Sequence, residues 1–218
     1  MTTCDRAPGS SGFTLIEVIV VLAVLGIVLG TAVPLAGAVV QADRRQEARV
    51  ELAEIADALD AYWFDEAAFP TTLTDSGFLG VYLQPGVQGT ATVDAFADQD
   101  YRYLVAGGGQ VATVYSVGEN GVDNGASGEE LVVNVYAAIP GARRTWQRLR
   151  VIVEVLANHI EAGGSVGGAW PTLRAAIGLG AGYDADGWGT TLQWTDTTHT
   201  LTSAGPDRTF GTADDITL

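Results

Sequence analysis

The sequence predicts an α+β chain: a long N-terminal helix, then small antiparallel sheet modules, two of them in tandem. Three observations point there. Phe13 to Val40 is a 28-residue run, FTLIEVIVVLAVLGIVLGTAVPLAGAVV, whose single charge is Glu17. Beyond it Leu52, Ile55, Leu59 and Tyr62 recur at helical spacing, with Glu51, Glu54, Asp57 and Asp60 on the other faces. Further on, short alternating stretches and Gly-rich turns occur twice in the same order.

The apolar run is long enough to cross a bilayer as a helix, for which about 20 apolar residues suffice. It is too long for the core of a cleaved secretory signal, and its small-residue junction, Ser10-Ser11-Gly12, precedes it. Residues 41–218 hold 24 acidic and 10 basic side chains, net −14 of the chain's −15, so the expected body is a soluble head on one anchor. Arg6 flanks one side of the run and Arg44, Arg45 and Arg49 the other; by that count alone the head would face the cytoplasm. Gly26 and Gly30 have the small-xxx-small spacing that lets helices approach closely. Pro34 cannot donate to the carbonyl of Gly30, which predicts a kink or local melting there. The amphipathic continuation is expected to end by Pro70.

Beyond Pro70 the chain repeats itself. Residues 145–161 make a second amphipathic helix through Trp146, Leu149, Ile152, Leu156 and Ile160. Trp170-Pro171-Thr172-Leu173 then echoes Phe69-Pro70-Thr71-Thr72, and residues 199–216 parallel 111–131. Both of the latter run through a strand to Ser-x-Gly, then a polar Gly-rich loop, then two acids and an aliphatic residue. The predicted modules are residues 41–140 and 141–218, split near Pro140-Gly141; chance recurrence of helix, turn and strand is the alternative.

Gly12-Phe13-Thr14-Leu15-Ile16-Glu17 opens the apolar run after a short polar leader. This resembles the N-terminus of type IV prepilins and type II secretion pseudopilins, and residues 53–73 resemble the same region of the major pseudopilin. The resemblance implies a pilin-like fold and a leader, residues 1–12, cut between Gly12 and Phe13 by a prepilin peptidase, with N-methylation of Phe13. It also implies a membrane and polymerisation helix over 13–40, a head in the periplasm, and an inner-membrane assembly platform. Partners would be other copies and other pseudopilins. Chemistry supports the role of Glu17 independently: an acid within an apolar helix is costly unless paired. Cleavage would create an α-amine on Phe13 that Glu17 of a neighbouring copy can neutralise. A protonated or snorkelling Glu17 is the alternative. Phe13, Glu17, Gly26, Gly30 and Pro34 are thus the expected assembly residues.

The loop Ser203 to Ile216, with Trp188-Gly189 after Asp186 upstream, resembles the calcium loop of the major pseudopilin; Gly187 stands where that pattern has proline. Hard cations take carboxylate and carbonyl oxygens at about 2.4 Å, so Asp207, Asp214 and Asp215 are the expected calcium ligands. The first loop, two residues longer, offers Asn120, Asp123, Glu129 and Glu130 as a degenerate site. A solvated acidic turn is the alternative for both.

Other classes fall away. Basic residues number 11, all arginine, against 26 acids, which argues against phosphate-backbone binding and hence against nucleic acid. Two histidines and one cysteine, Cys4, do not furnish a zinc finger, cluster or disulfide framework. His159 on a helix and His199 at a strand edge are not a catalytic pair, and Gly107-Gly108-Gly109 reads as a turn between strands. No catalytic motif is present, and Asp214 and Asp215, neighbours on a strand, would point apart. The chain is expected to be a non-enzymatic structural subunit of a type II secretion pseudopilus. A type IV or DNA-uptake minor pilin, and a tethered calcium-binding module that never polymerises, are the alternatives.

Overall fold

The computed structural model describes residues 13–86, 91–97, 99–128 and 130–218, and side chains outside 31–36. Helix α1 spans Leu15–Glu66. Strands β1 (Arg102–Ala106), β2 (Val111–Ser116) and β3 (Leu131–Tyr136) form an antiparallel sheet in that order. Helix α2 (Ala138–Glu161) and the short α3 (Trp170–Ala176) precede a second antiparallel sheet of β4 (Gln193–Thr195), β5 (Thr200–Ser203) and β6 (Ile216–Thr217). The chain divides into two units, Met1–Arg44 and Arg45–Leu218, at a point inside α1.

α1 begins at Thr14, whose carbonyl accepts the Glu17 amide at 3.1 Å. Its backbone stays helical through Pro34, so the local melting expected there is not found. Among the described residues no helix is long and apolar enough to cross a membrane; the apolar run is divided by residues 31–36, whose side chains are outside that set. The helix stops at Glu66, and Ala67 takes a left-handed φ of 57° ahead of Pro70. Pro70 is buried, and its carbonyl accepts the Tyr103 hydroxyl at 2.9 Å, fixing the helix exit to β1.

Within the second unit α1 lays Leu52, Ile55 and Leu59 against Val114, Tyr101 and the buried loop residues Leu73, Phe78 and Leu83. α2 repeats the scheme: Leu149 and Ile152 meet Leu192 and Leu201, with Trp170 and Leu173 closing the cluster. The two buried rows share one spacing, Ala48-Leu52-Ile55 against Thr145-Leu149-Ile152. A third cluster, Trp63, Ala137 and Trp188 with Phe69 and Ile216 around it, joins residues from both sheets' neighbourhoods.

α2 starts at Ala138, before the predicted residue 145, so Pro140 and Gly141 lie in its first turn and not in a linker. Proline is tolerated there because first-turn amides have no intrahelical acceptor. Gly107, Gly108 and Gly109, all at positive φ, form the β1–β2 turn as expected. Both Ser-x-Gly loops close in matching register: Ser116 pairs with Leu131, and Ser203 with Ile216.

Candidate assembly helix and loop sites

Gly12 and the Gly12–Phe13 junction lie outside the described residues, as do Cys4 and Glu129. Phe13 is 79% exposed, and the large apolar side chains from Leu15 to Leu29 are all exposed in the single chain. A Cβ built on Gly26 or Gly30 meets nothing within 4 Å, so those positions are open to another helix. Glu17 is the third helical residue, and its amide also faces the Thr14 hydroxyl at 3.4 Å. The Thr14-x-x-Glu17 spacing is a capping-box signature, missed in the sequence reading, and the helix N-terminus itself favours a carboxylate there.

Each Ser-x-Gly turn is held by a buried acid: Asp186, marked in the sequence only by its place before Trp188-Gly189, and Asp94, not marked there. Asp186, 1% exposed, accepts the Ser203 hydroxyl at 2.7 Å and the amides of Trp188 and Thr190 at 3.0 and 2.8 Å. Asp94, also buried, accepts the Ser116 hydroxyl at 2.7 Å and the amides of Val117 and Phe96 at 2.8 and 3.0 Å. In each loop the serine oxygen then accepts a glycine amide, Gly118 at 3.1 Å and Gly205 at 3.2 Å. The readable signal is an acid two residues before an aromatic, Asp94-x-Phe96 and Asp186-x-Trp188.

Gly187, the departure from the proline pattern, has a steric cause. A Cβ on it would lie 2.0 Å from the Gly141 carbonyl oxygen, and one on Gly141 would lie 2.2 Å from Trp188 Nε1. The Gly187 amide donates to Thr145 Oγ1 at 2.8 Å, a bond proline could not make. Trp188 Nε1 reaches the Ala137 carbonyl at 3.2 Å. This loop is thereby seated on the first turn of α2.

The candidate calcium loop turns its acids onto its own donors. Asp207 accepts the Thr209 amide at 2.7 Å, and Asp215 the Gly211 amide at 2.7 Å. Asp214 accepts the Thr212 hydroxyl at 2.6 Å, which holds its carboxyl below the usual range. That same hydroxyl lies 3.3 Å from Asp215, and β6 begins only at Ile216. Asp214 and Asp215 therefore sit in a turn and converge on one group, contrary to the strand alternation expected of them. The donor set is all oxygen, which suits a hard cation and not zinc. Among the described residues no three His, Cys, Asp or Glu side chains are gathered as a metal site.

The first loop meets a cation from β1. Arg102 pairs with Asp123 at 3.1 Å, and Tyr115 donates to the same carboxylate at 3.0 Å. The Gly125 amide, with those two groups, lowers the Asp123 carboxyl from its ordinary value. Glu130 accepts the amides of Ser127, at 2.6 Å, and Asn124. Asn120 caps its own turn by accepting the Val122 amide at 2.9 Å. His159 lies on α2, and His199 sits at positive φ in the turn before β5, stacked on Trp194.

The prokaryotic N-terminal methylation motif matches residues 8–33, and the type II secretion system (T2SS), protein G model matches residues 36–135. Type II secretion system core protein G of Vibrio cholerae is 32% identical over 127 residues, 53% of this chain and 84% of that protein. Its namesake in Pseudomonas aeruginosa is 29% identical over 136 residues, 57% of this chain and 94% of that one. That of Klebsiella michiganensis is 30% identical over 129 residues, 54% of this chain and 89% of that one. No solved structure gives a significant match. With its methylation-type opening, its exposed apolar helix and a relative aligned over most of its length, the chain belongs to the type II secretion system protein G family.

Proposed function

We propose that the chain is a structural subunit of a type II secretion pseudopilus, cut after Gly12, methylated on Phe13 and polymerised through its N-terminal helix. The carrying observation is that helix: an unbroken α1 headed by Glu17, with every large apolar side chain from Leu15 to Leu29 exposed. Such a surface needs hydrocarbon before assembly and neighbouring helices after it. The segment 13–40 spans the inner membrane with the head in the periplasm, and Glu17 of an incoming copy neutralises the new amine of Phe13 on its neighbour. Filament growth from an inner-membrane platform then supports export across the outer membrane. No catalysis is part of this reading. Replacing Glu17 by alanine and measuring incorporation into sheared filaments tests it: incorporation is expected to fall at least tenfold, and wild-type incorporation would overturn the pairing.

Residues 138–218 are read as a second copy of the head. Both sheets are three-stranded in the same order, both serine turns are held by a buried aspartate, and both helices share a buried spacing. Calcium is assigned to the second loop, through Asp207, Asp214 and Asp215 with backbone carbonyls, where it would neutralise three acids close in sequence. The first loop is degenerate because the Arg102 guanidinium already supplies its positive charge.

A further inference from the structure

Helix α2 has an apolar flank its own sheet does not cover. Ile139, Trp146, Val153 and Ile160 recur every seventh residue, interleaved by Arg143, Arg150 and Ala157. That is the spacing of a helix–helix seam, because seven residues make nearly two turns. The four large residues are 63%, 50%, 39% and 51% exposed. Their exposure follows from the size of the second sheet: β4, β5 and β6 have three, four and two residues, where the first sheet has five, six and six. The C-terminal half of the stripe rims a cleft of about 200 Å³ with Trp194 and Leu201. With Leu149 aligned on Leu52, the same four positions of α1 hold Ala42, Arg49, Ala56 and the buried Trp63. The stripe is therefore particular to α2, which lies beyond the family match ending at residue 135.

Charge selects the occupant. α2 carries Arg143, Arg144, Arg148 and Arg150 against Glu154 and Glu161, a net positive helix on a chain of net charge −15. Copies of so acidic a body repel at short range unless a basic patch meets an acidic one. The exposed face of α1 in the same unit offers Glu47, Glu54 and Asp57 around Val50 and Ala61, at matching three- and four-residue steps. Arg143 already bonds Asp60 and lies over the Phe64 ring, which leaves Arg150 as the stripe's central charge.

We propose that this stripe is a second assembly surface, docking α2 of one copy onto the acidic face of α1, residues 47–61, in a neighbouring copy. The inference rests on the reading that the chain polymerises. It is tested in cells that assemble the full chain carrying Cys4→Ser. Trp146→Cys on one copy and Val50→Cys on another are cross-linked with a short bismaleimide. The expected result is a 146–50 link that falls at least tenfold with Arg150→Glu and returns when the partner copy carries Glu54→Arg and Asp57→Arg. Val50, Glu54, Asp57, Trp146 and Arg150 are exposed, so melting temperatures close to the parent's are expected of variants there. Leu22→Cys, exposed on the apolar stretch of α1 and expected to link neighbouring N-terminal helices, is the parallel control. Links at Leu22 without a 146–50 link overturn α2 docking and leave polymerisation standing. Loss of both overturns polymerisation and this inference with it. A 146–50 link indifferent to Arg150→Glu, or one that charge reversal on the partner copy does not restore, overturns the assignment of the acidic face.

Discussion

Replacing Asp186 by alanine removes a buried acceptor that three groups share. The amides of Trp188 and Thr190 are fixed in the backbone and cannot turn to another partner; the Ser203 hydroxyl can rotate. An orphaned buried donor costs about 1–3 kcal/mol, so two amides and a partly rescued hydroxyl give about 3–5 kcal/mol. That is a large share of the roughly 5–15 kcal/mol by which domains are stable. With a urea slope of about 2 kcal/mol per molar, the unfolding midpoint falls by about 2 M. The assay is urea unfolding of the full chain in detergent micelles, followed by tryptophan fluorescence, since Trp188 is itself released by the change. Asp186→Asn keeps one acceptor oxygen and is expected to lose only about 1–3 kcal/mol. Asp94→Ala, which orphans an equivalent set in the first loop, is expected to match Asp186→Ala. A loss below about 0.5 kcal/mol for the alanine variant, the range of ordinary surface changes, would refute the reasoning.

Gly187→Ala pushes a methyl into the Gly141 carbonyl, where the neighbour is helix backbone; a loss of about 1–3 kcal/mol is expected by the same urea assay. Acid should act on the first loop through Asp123, whose folded carboxyl lies below its unfolded value. Its contribution is present in full above about pH 4 and is lost as pH falls below that. Asp123→Asn should therefore lose less melting temperature than the wild type between about pH 6 and pH 3; equal losses would contradict the assignment. Calcium at one hundred times its dissociation constant should stabilise the second loop's host by about 2.7 kcal/mol. The readout is melting temperature with calcium against chelator, and Asp214→Asn should abolish the difference.

Much of the fold was legible because its signals are local. The apolar run, the 52-55-59 and 149-152-156 spacings, the three glycines of the β1–β2 turn and the two-residue difference between loops all lie in adjacent residues. The start of α2 was missed because Pro140 and Gly141 look like a break, whereas a first turn accepts both and Gly141 is needed there for Trp188 to approach. In the loops the legible acids are those close in sequence, Asp207, Asp214 and Asp215, since clustered carboxylates suggest cations. The acids that hold the turns, Asp94 and Asp186, stand 22 and 17 residues from the serines they bind, a distance no periodicity spans. The role of Arg102 beside Asp123 was hidden likewise, because β1 and the loop meet only after the sheet has formed. The capping role of Glu17 is legible from Thr14-x-x-Glu17 as well, a local signal overshadowed by the larger cost of an acid within an apolar helix.

The cluster of Trp63, Ala137 and Trp188 ties two stretches of the chain into one buried surface. Trp63 lies in the part of the chain that the family model matches, and it is 1% exposed with Ala137 and Trp188, from beyond that part, packed beside it along with Phe69. A chain shortened to residue 135 would keep Phe69 beside the Trp63 indole but bare the surface that Ala137 and Trp188 cover. Residues 45–135 and 137–218 are thereby coupled in stability: removing the second stretch would loosen the first as well.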